Sequence, residues 1–169
     1  MSISAKLKQI SIFLPLQDDE EKIAKLEEII SQKHFDAKKY IIKEGEIGNK
    51  MFILNKGIVL IEKKTALGDS FPVVKLTDNM NAFFGELALL DDDLRSASVY
   101  TLTEVECFVI EKNEFDLFCQ NYPEIGFLII REIAKSLARK LRSTTHDNMY
   151  LIGALCNEDS DLNLEDIEK

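Results

Sequence analysis

The hydrophobic positions of this chain change their period twice. Up to about Lys33 they recur at helical spacing, and Asp18 or Asp19 can cap a helix that brings Ile23, Leu26, Ile29 and Ile30 to one face. Between Phe35 and Ile110 short apolar runs replace that period. Tyr40–Ile42, Met51–Leu54, Ile58–Ile61, Phe71–Leu76 and Val105–Ile110 alternate with turn signals at Glu44-Gly45-Glu46, Asn55-Lys56-Gly57 and Leu67-Gly68-Asp69. Strands this short and this regularly spaced predict an antiparallel roll or barrel. No period of 20–50 residues signals a repeat protein.

From Asn113 the helical period returns. Asn113 is a plausible N-cap for a short helix carrying Phe115 and Phe118, and Asn121-Tyr122-Pro123 then opens a longer one. That helix is expected to run to about Ile152, roughly 30 residues and about 45 Å. Along it Ile130, Ala134, Leu137, Leu141, Thr144, Asn148, Leu151 and Leu155 alternate in steps of four and three, a heptad seam. Leu128, Ile129 and Ile133 offer a second apolar face for packing on the roll, which leaves the seam for self-association. The expected fold is α+β: an antiparallel β-roll or jelly roll of about eight strands, with N-terminal helices and a long C-terminal helix.

Composition narrows the picture. A chain of 169 residues, 46% hydrophobic and 30% charged, fits one ordinary globular domain. The net charge of -9 argues against a general nucleic-acid binder, because phosphate contacts need a Lys/Arg surplus. Asn157 to Lys169 hold six acids and one Lys. The expected division is a domain over 1–152 and an acidic, disordered tail over 153–169. Leu162, Leu164 and Ile167 keep open a docking motif for a basic partner. Cys107, Cys119 and Cys156 fit no zinc or iron–sulfur spacing, and Cys107 and Cys119 read as buried thiols. No run approaches the ~20 apolar residues of a membrane span, so a cytoplasmic location is expected and no membrane association. His34 and His146 read as surface or structural residues, and no nucleophile–base arrangement suggests an enzyme.

The chemistry concentrates in Phe84-Gly85-Glu86-Leu87-Ala88-Leu89-Leu90, Asp91-Asp92-Asp93-Leu94 and Arg95-Ser96-Ala97-Ser98-Val99. Gly85 lets backbone approach a ligand closely. The residues after it favour a short helix whose free N–H groups suit an anion. Arg95 follows Glu86 by nine residues, far enough for the loop to fold back over one pocket. Its guanidinium suits a phosphate, and Ser96 adds a hydroxyl and a backbone donor. Glu86 repels phosphate but accepts well from a sugar hydroxyl. Together these describe a ribose–phosphate site.

This stretch resembles the phosphate-binding cassette of cyclic-nucleotide-binding domains, as in bacterial catabolite activators, regulatory subunits of cyclic-nucleotide-dependent kinases and nucleotide-gated channels. The family pattern is Phe-Gly-Glu-Leu/Ile-Ala-Leu, then Arg and two small residues. Phe84 to Leu89 and Arg95-Ser96-Ala97 match it, and Ile42 to Gly48 and Met51 to Gly57 resemble the family's strand-turn-strand opening. The resemblance covers roughly Ile10 to Ile152. It departs from kinase-type cassettes, which carry Pro before the Arg where Asp91-Asp92-Asp93-Leu94 stands here.

The resemblance implies that Arg95 pairs with the cyclic phosphate, with Ser96 and the Ala97 backbone as further donors. It implies that Glu86 and the Gly85 backbone hold the ribose 2′-hydroxyl, with Phe84, Leu87 and Ala88 completing the cassette. No metal is required. Base recognition falls on the long helix, where Thr144 and Thr145 resemble the activators' paired hydroxyl positions. That favours cAMP, while Ser96 after Arg95 keeps cGMP as second choice. The implied protein is a stand-alone receptor, a homodimer through the helix at 123–152, signalling to an unidentified downstream protein. The chain beyond that helix is too short and acidic for the activators' DNA-reading module, so no DNA binding is expected. The alternative is a degenerate, ligand-free interaction module, against which Gly85, Glu86 and Arg95 together weigh.

Overall fold

The computed structural model describes residues 2–65 and 68–158, which fall into two units, one through Glu132 and one from Ile133. The first begins with α1 (Ile3–Leu7), a 3-10 turn over Ser11–Leu16 and α2 (Glu20–Glu27). Asp19 caps α2 by accepting from the Lys22 N–H at 3.1 Å. The helix expected to reach Lys33 stops at Glu27, because Ile30 opens a strand, β1 (Ile30–Phe35), with Ile30 opposite Ile110. Ile29 and Ile30 fit both a helical face and a pleated surface, and cross-strand pairing decides.

Seven further strands follow: β2 (Tyr40–Ile42), β3 (Lys50–Lys56), β4 (Ile58–Lys64), β5 (Ser70–Thr77), β6 (Phe83–Phe84), β7 (Ser98–Thr101) and β8 (Val105–Glu111). They form two four-stranded sheets, β1-β8-β3-β6 and β2-β7-β4-β5, with every pairing antiparallel. This is the expected jelly roll. Strands β3 and β4 meet at Gly57, whose φ of +99° no side chain favours; a Cβ there would lie 2.3 Å from Glu104 O. The outer strand β5 exposes Phe71 and Val73, and Pro72 and a register shift opposite it blunt that open edge.

The core lies between the sheets. Phe52, Leu54, Val59, Phe84, Val99, Val105, Cys107 and Val109 are buried in one cluster, with Ile42 at its margin. Each large apolar side chain so buried contributes about 1.5–3 kcal/mol. The Phe52 and Phe84 rings stack at 5.4 Å and 14°. Burial pushes the Cys107 thiol up to about 12, while Cys119 is only half-buried rather than enclosed.

Strand β8 runs directly into α3 (Lys112–Asn121), so Glu111 takes the N-cap position and the expected cap, Asn113, lies inside the helix. The Lys112 N–H donates to Asn49 O at 2.8 Å, tying the first turn of α3 to the start of β3. Pro123 occupies the first position of α4 (Pro123–Glu158), where its missing N–H costs nothing. Within the first unit α3 buries Phe115 and Phe118, and α4 buries Ile125 and Ile129.

The second unit is the rest of α4, and there Leu141, Met149, Tyr150, Leu151, Ile152 and Leu155 are exposed. Three of them, Leu141, Leu151 and Leu155, belong to the heptad seam. The helix continues past Ile152 to Glu158, so the tail expected from 153 begins as helix; its remainder, 159–169, with Leu162, Leu164 and Ile167, lies outside the described residues. No described helix is long and apolar enough to cross a membrane.

Candidate functional site

The cassette is held from its root. Phe84 lies opposite Phe52 in the short pairing of β6 with β3 and stacks on it inside the core. Its side chain therefore anchors the segment instead of facing solvent. The next residue, Gly85, turns the chain with φ +75°, and Glu86–Leu89 form one 3-10 turn in place of the expected short helix. Glu86, Ala88 and Leu89 are buried and Leu87 is half-buried. The chain then emerges, so that Asp91, Asp92 and Asp93 are all exposed. Lys112 Nζ stands 3.9 Å from the Asp92 carboxylate and from that of Asp116.

Arg95 returns the chain to its root. Its Nη1 donates to Gly85 O at 3.1 Å and its Nη2 to Lys50 O at 2.7 Å. A guanidinium has five N–H donors, so these bonds leave three. Among the described residues Arg95 makes no ion pair. The side chain is half-buried, and desolvation alone pulls its pKa down. A partly desolvated cation resting on carbonyl oxygens, with donors to spare, has the chemistry to accept an anion.

A second stretch of chain adjoins Arg95. The turn between β2 and β3 is laced to the returning cassette: Gly45 N–H donates to Arg95 O and Arg95 N–H to Glu46 O, both at 2.9 Å, in an antiparallel bridge of Ile47 with Leu94, and Glu44 N–H donates to the Ser98 hydroxyl at 3.0 Å. Beneath it lies a cavity of about 140 Å³ lined by Ile41, Ile42, Gly48, Lys50, Phe52 and Arg95 among others. The Gly85 backbone, expected at a ribose hydroxyl, here accepts from Arg95, and the Lys50 carbonyl, the Ser98 hydroxyl and the turn at 44–48 join it without any sequence signal of their own. Backbone acceptors carry no side-chain signature. The nearest signal was Ile42 to Gly48, read from the sequence only as a family feature.

The structure thus brings Gly85 and Arg95 together within one loop that leaves β6 and enters β7, with the buried Glu86 next to Gly85 in the chain. Ser96 is exposed and Ala97 is half-buried; among the described residues neither amide makes a loop hydrogen bond to a backbone carbonyl. Thr144 and Thr145 belong to the second unit, where both are exposed and the Thr145 hydroxyl donates to Leu141 O at 2.9 Å. No group of three or more metal-ligating side chains occurs among the described residues.

A jelly roll whose arginine folds back onto a Gly-Glu turn can hold a small anionic ligand at that turn. The comparisons with known proteins make this specific. Residues 32–122 match the family described as the cyclic nucleotide-binding domain, and the chain belongs to that family. It is 33% identical over 120 residues to human cGMP-dependent protein kinase 2, a match covering 70% of this chain and 15% of the kinase. The chain therefore spans a small part of the curated relatives it matches. The catabolite activator protein of Thermus thermophilus superposes with a TM-score of 0.69 at 22% identity, over 78% of this chain and 59% of that one. The regulatory domain of Toxoplasma gondii PKA, crystallised with cAMP, gives a TM-score of 0.65 at 21% identity, over 79% of this chain and 49% of that one. At such identities the likeness shows the fold.

Proposed function

We propose that this chain is a non-enzymatic receptor that binds cAMP at the Gly85–Ala97 cassette and passes the signal to a partner protein by rearranging its helices. One observation carries the reading: the half-buried Arg95 guanidinium has two carbonyl partners, spare donors and, among the described residues, no ion pair. A cyclic phosphate carries one negative charge, and the guanidinium offers one positive charge. In this reading Arg95 pairs with the phosphate oxygens, and Ser96 and the Ala97 amide add donors. Glu86 and the Gly85 backbone take the ribose 2′-hydroxyl, beside Leu87 and Ala88, with Phe84 fixing the loop from behind. Thr144 and Thr145 read the base.

The exposed seam residues Leu141, Leu151 and Leu155 support a homodimer through α4, since a second copy is the partner to which a heptad stripe is self-complementary. The proposed location is the cytoplasm. Ligand shifts the receptor only by its differential affinity for two conformations, so the effector must read the helices.

Specific observations favour cGMP as the second reading. Ser96 offers an exposed hydroxyl next to Arg95, and the curated relatives at 30% identity and above include kinases named for cGMP. Calorimetric titration of the purified chain with cAMP and with cGMP tests both. Saturable binding of cAMP, weakened in Thr144→Ala, supports the first; cGMP binding tenfold tighter than cAMP, lost in Ser96→Ala, replaces it with the second; no binding of either removes both.

A further inference from the structure

The Arg95 guanidinium lies in a slot between two glycines. On one side is Gly85, where an added Cβ would stand 2.8 Å from Arg95 Nη1 and 3.0 Å from Lys50 O. On the other is Gly48, where a Cβ would stand 2.0 Å from Arg95 Nε and 2.6 Å from both Cζ and Nη2. These separations are well inside van der Waals contact, so a methyl group at position 48 and the guanidinium cannot occupy the structure together.

The two glycines differ in kind. Gly85 needs its left-handed φ of +75°, and a Cβ there also meets backbone, so its substitution disturbs the loop itself. Gly48 is absent from the residues of positive φ, and all three near neighbours of its Cβ are atoms of one flexible side chain, Arg95. An alanine at 48 thus needs no left-handed backbone, and the first atoms it displaces are those of the arginine.

We propose that Gly48 is a positioning residue for ligand binding, which acts through Arg95 by leaving open the space in which the guanidinium reaches Lys50 O and Gly85 O. Those two bonds fix the plane of the fork and turn its remaining donors toward the ligand. The backbone around Gly48 is in turn held to the cassette, through Glu46 O, the Gly45 N–H and the Ile47–Leu94 bridge. The empty space at 48 is therefore registered against Arg95 by chain on both sides. This rests on the reading of Arg95 as the phosphate residue.

The test is a double-mutant cycle on the full chain with the cyclic nucleotide that the unmodified chain binds, cAMP or cGMP. Gly48→Ala is expected to weaken binding tenfold or more while leaving the melting midpoint of ligand-free protein unchanged or raised, because Gly→Ala at an unstrained site narrows the unfolded ensemble. Gly48→Val, with a larger side chain in the same slot, weakens binding further. In an Arg95→Ala background Gly48→Ala adds no more than a twofold loss. Wild-type affinity in Gly48→Ala overturns the proposal, as does an equal loss with and without Arg95. If Gly48→Ala fails to fold, Gly48→Ser and the circular-dichroism melt of each variant carry the same comparison. Absence of any nucleotide binding by the unmodified chain is a different result, and it would refute the underlying receptor reading instead.

Discussion

Replacing Arg95 isolates the interaction on which the receptor reading turns. In Arg95→Ala the ligand-free protein loses two charge-assisted bonds, to Gly85 O and Lys50 O, and also sheds the cost of keeping a cation half-buried. Such bonds are worth about 1.5–3 kcal/mol against a burial cost of similar size, so the melting midpoint should move little. Binding behaves differently, because the phosphate would lose the guanidinium as its positive partner in a partly dry site. Breaking a buried ion pair costs about 3–5 kcal/mol. Half-burial of the guanidinium lowers that to roughly 3 kcal/mol, about a hundredfold in affinity. Arg95→Lys keeps the charge but cannot reach both carbonyls and the ligand with one ammonium, and an intermediate loss of about tenfold follows. Isothermal titration calorimetry beside thermal melts reads both quantities. Arg95→Ala binding within threefold of wild type would refute the reasoning, and a collapse of the ligand-free fold would show that Arg95 is chiefly structural.

Other perturbations test neighbouring parts of the account. Glu86→Gln should preserve the fold and reduce the preference for ribose over 2′-deoxyribose nucleotides by about tenfold, measured by competition between cAMP and its 2′-deoxy analogue. Phe52→Ala should destabilise by about 3–5 kcal/mol in urea unfolding, since it empties the stack that roots the cassette. Leu141→Glu with Leu151→Glu should convert a dimer to a monomer in light scattering, with the strand signal of the roll unchanged. Burial holds the Cys107 thiol near 12, above its ordinary value of 9.0. The folded state therefore keeps the proton as pH rises through 9 while the unfolded chain releases it, so alkali destabilises the protein through this group. Mass spectrometry after alkylation at pH 8 should find Cys107 unlabelled until denaturant is added.

What the sequence revealed depended on whether side chains or backbone carried the information. The runs at Tyr40–Ile42, Met51–Leu54, Ile58–Ile61, Phe71–Leu76 and Val105–Ile110 lie within β2, β3, β4, β5 and β8, because their β-branched and aromatic residues suit a pleated strand; β3 and β8 also bury them, whereas β5 leaves Phe71 and Val73 exposed. Strand β1 was hidden, since only Ile30, Lys33 and Phe35 of its six residues escape full exposure and its neighbour α2 supplied a helical phase. Strand β6 is two residues long, below any periodicity. At the site, Gly85, Glu86 and Arg95 were legible as residue types at a given spacing. The acceptors that orient Arg95 are main-chain oxygens of Lys50 and Gly85, which any residue there would supply. Only the three-dimensional path of β3 brings Lys50 O to a residue 45 positions later.

The central claim, that the Gly85–Ala97 cassette takes up a cyclic nucleotide, is tested most directly by the melting curve of the unmodified chain with and without cAMP or cGMP. A site filled at 100 times its dissociation constant adds about 2.7 kcal/mol. For a chain of this size that raises the midpoint by roughly 5–11 °C, and the rise should be absent in Arg95→Ala. An unchanged midpoint with millimolar cAMP and with millimolar cGMP would contradict the account.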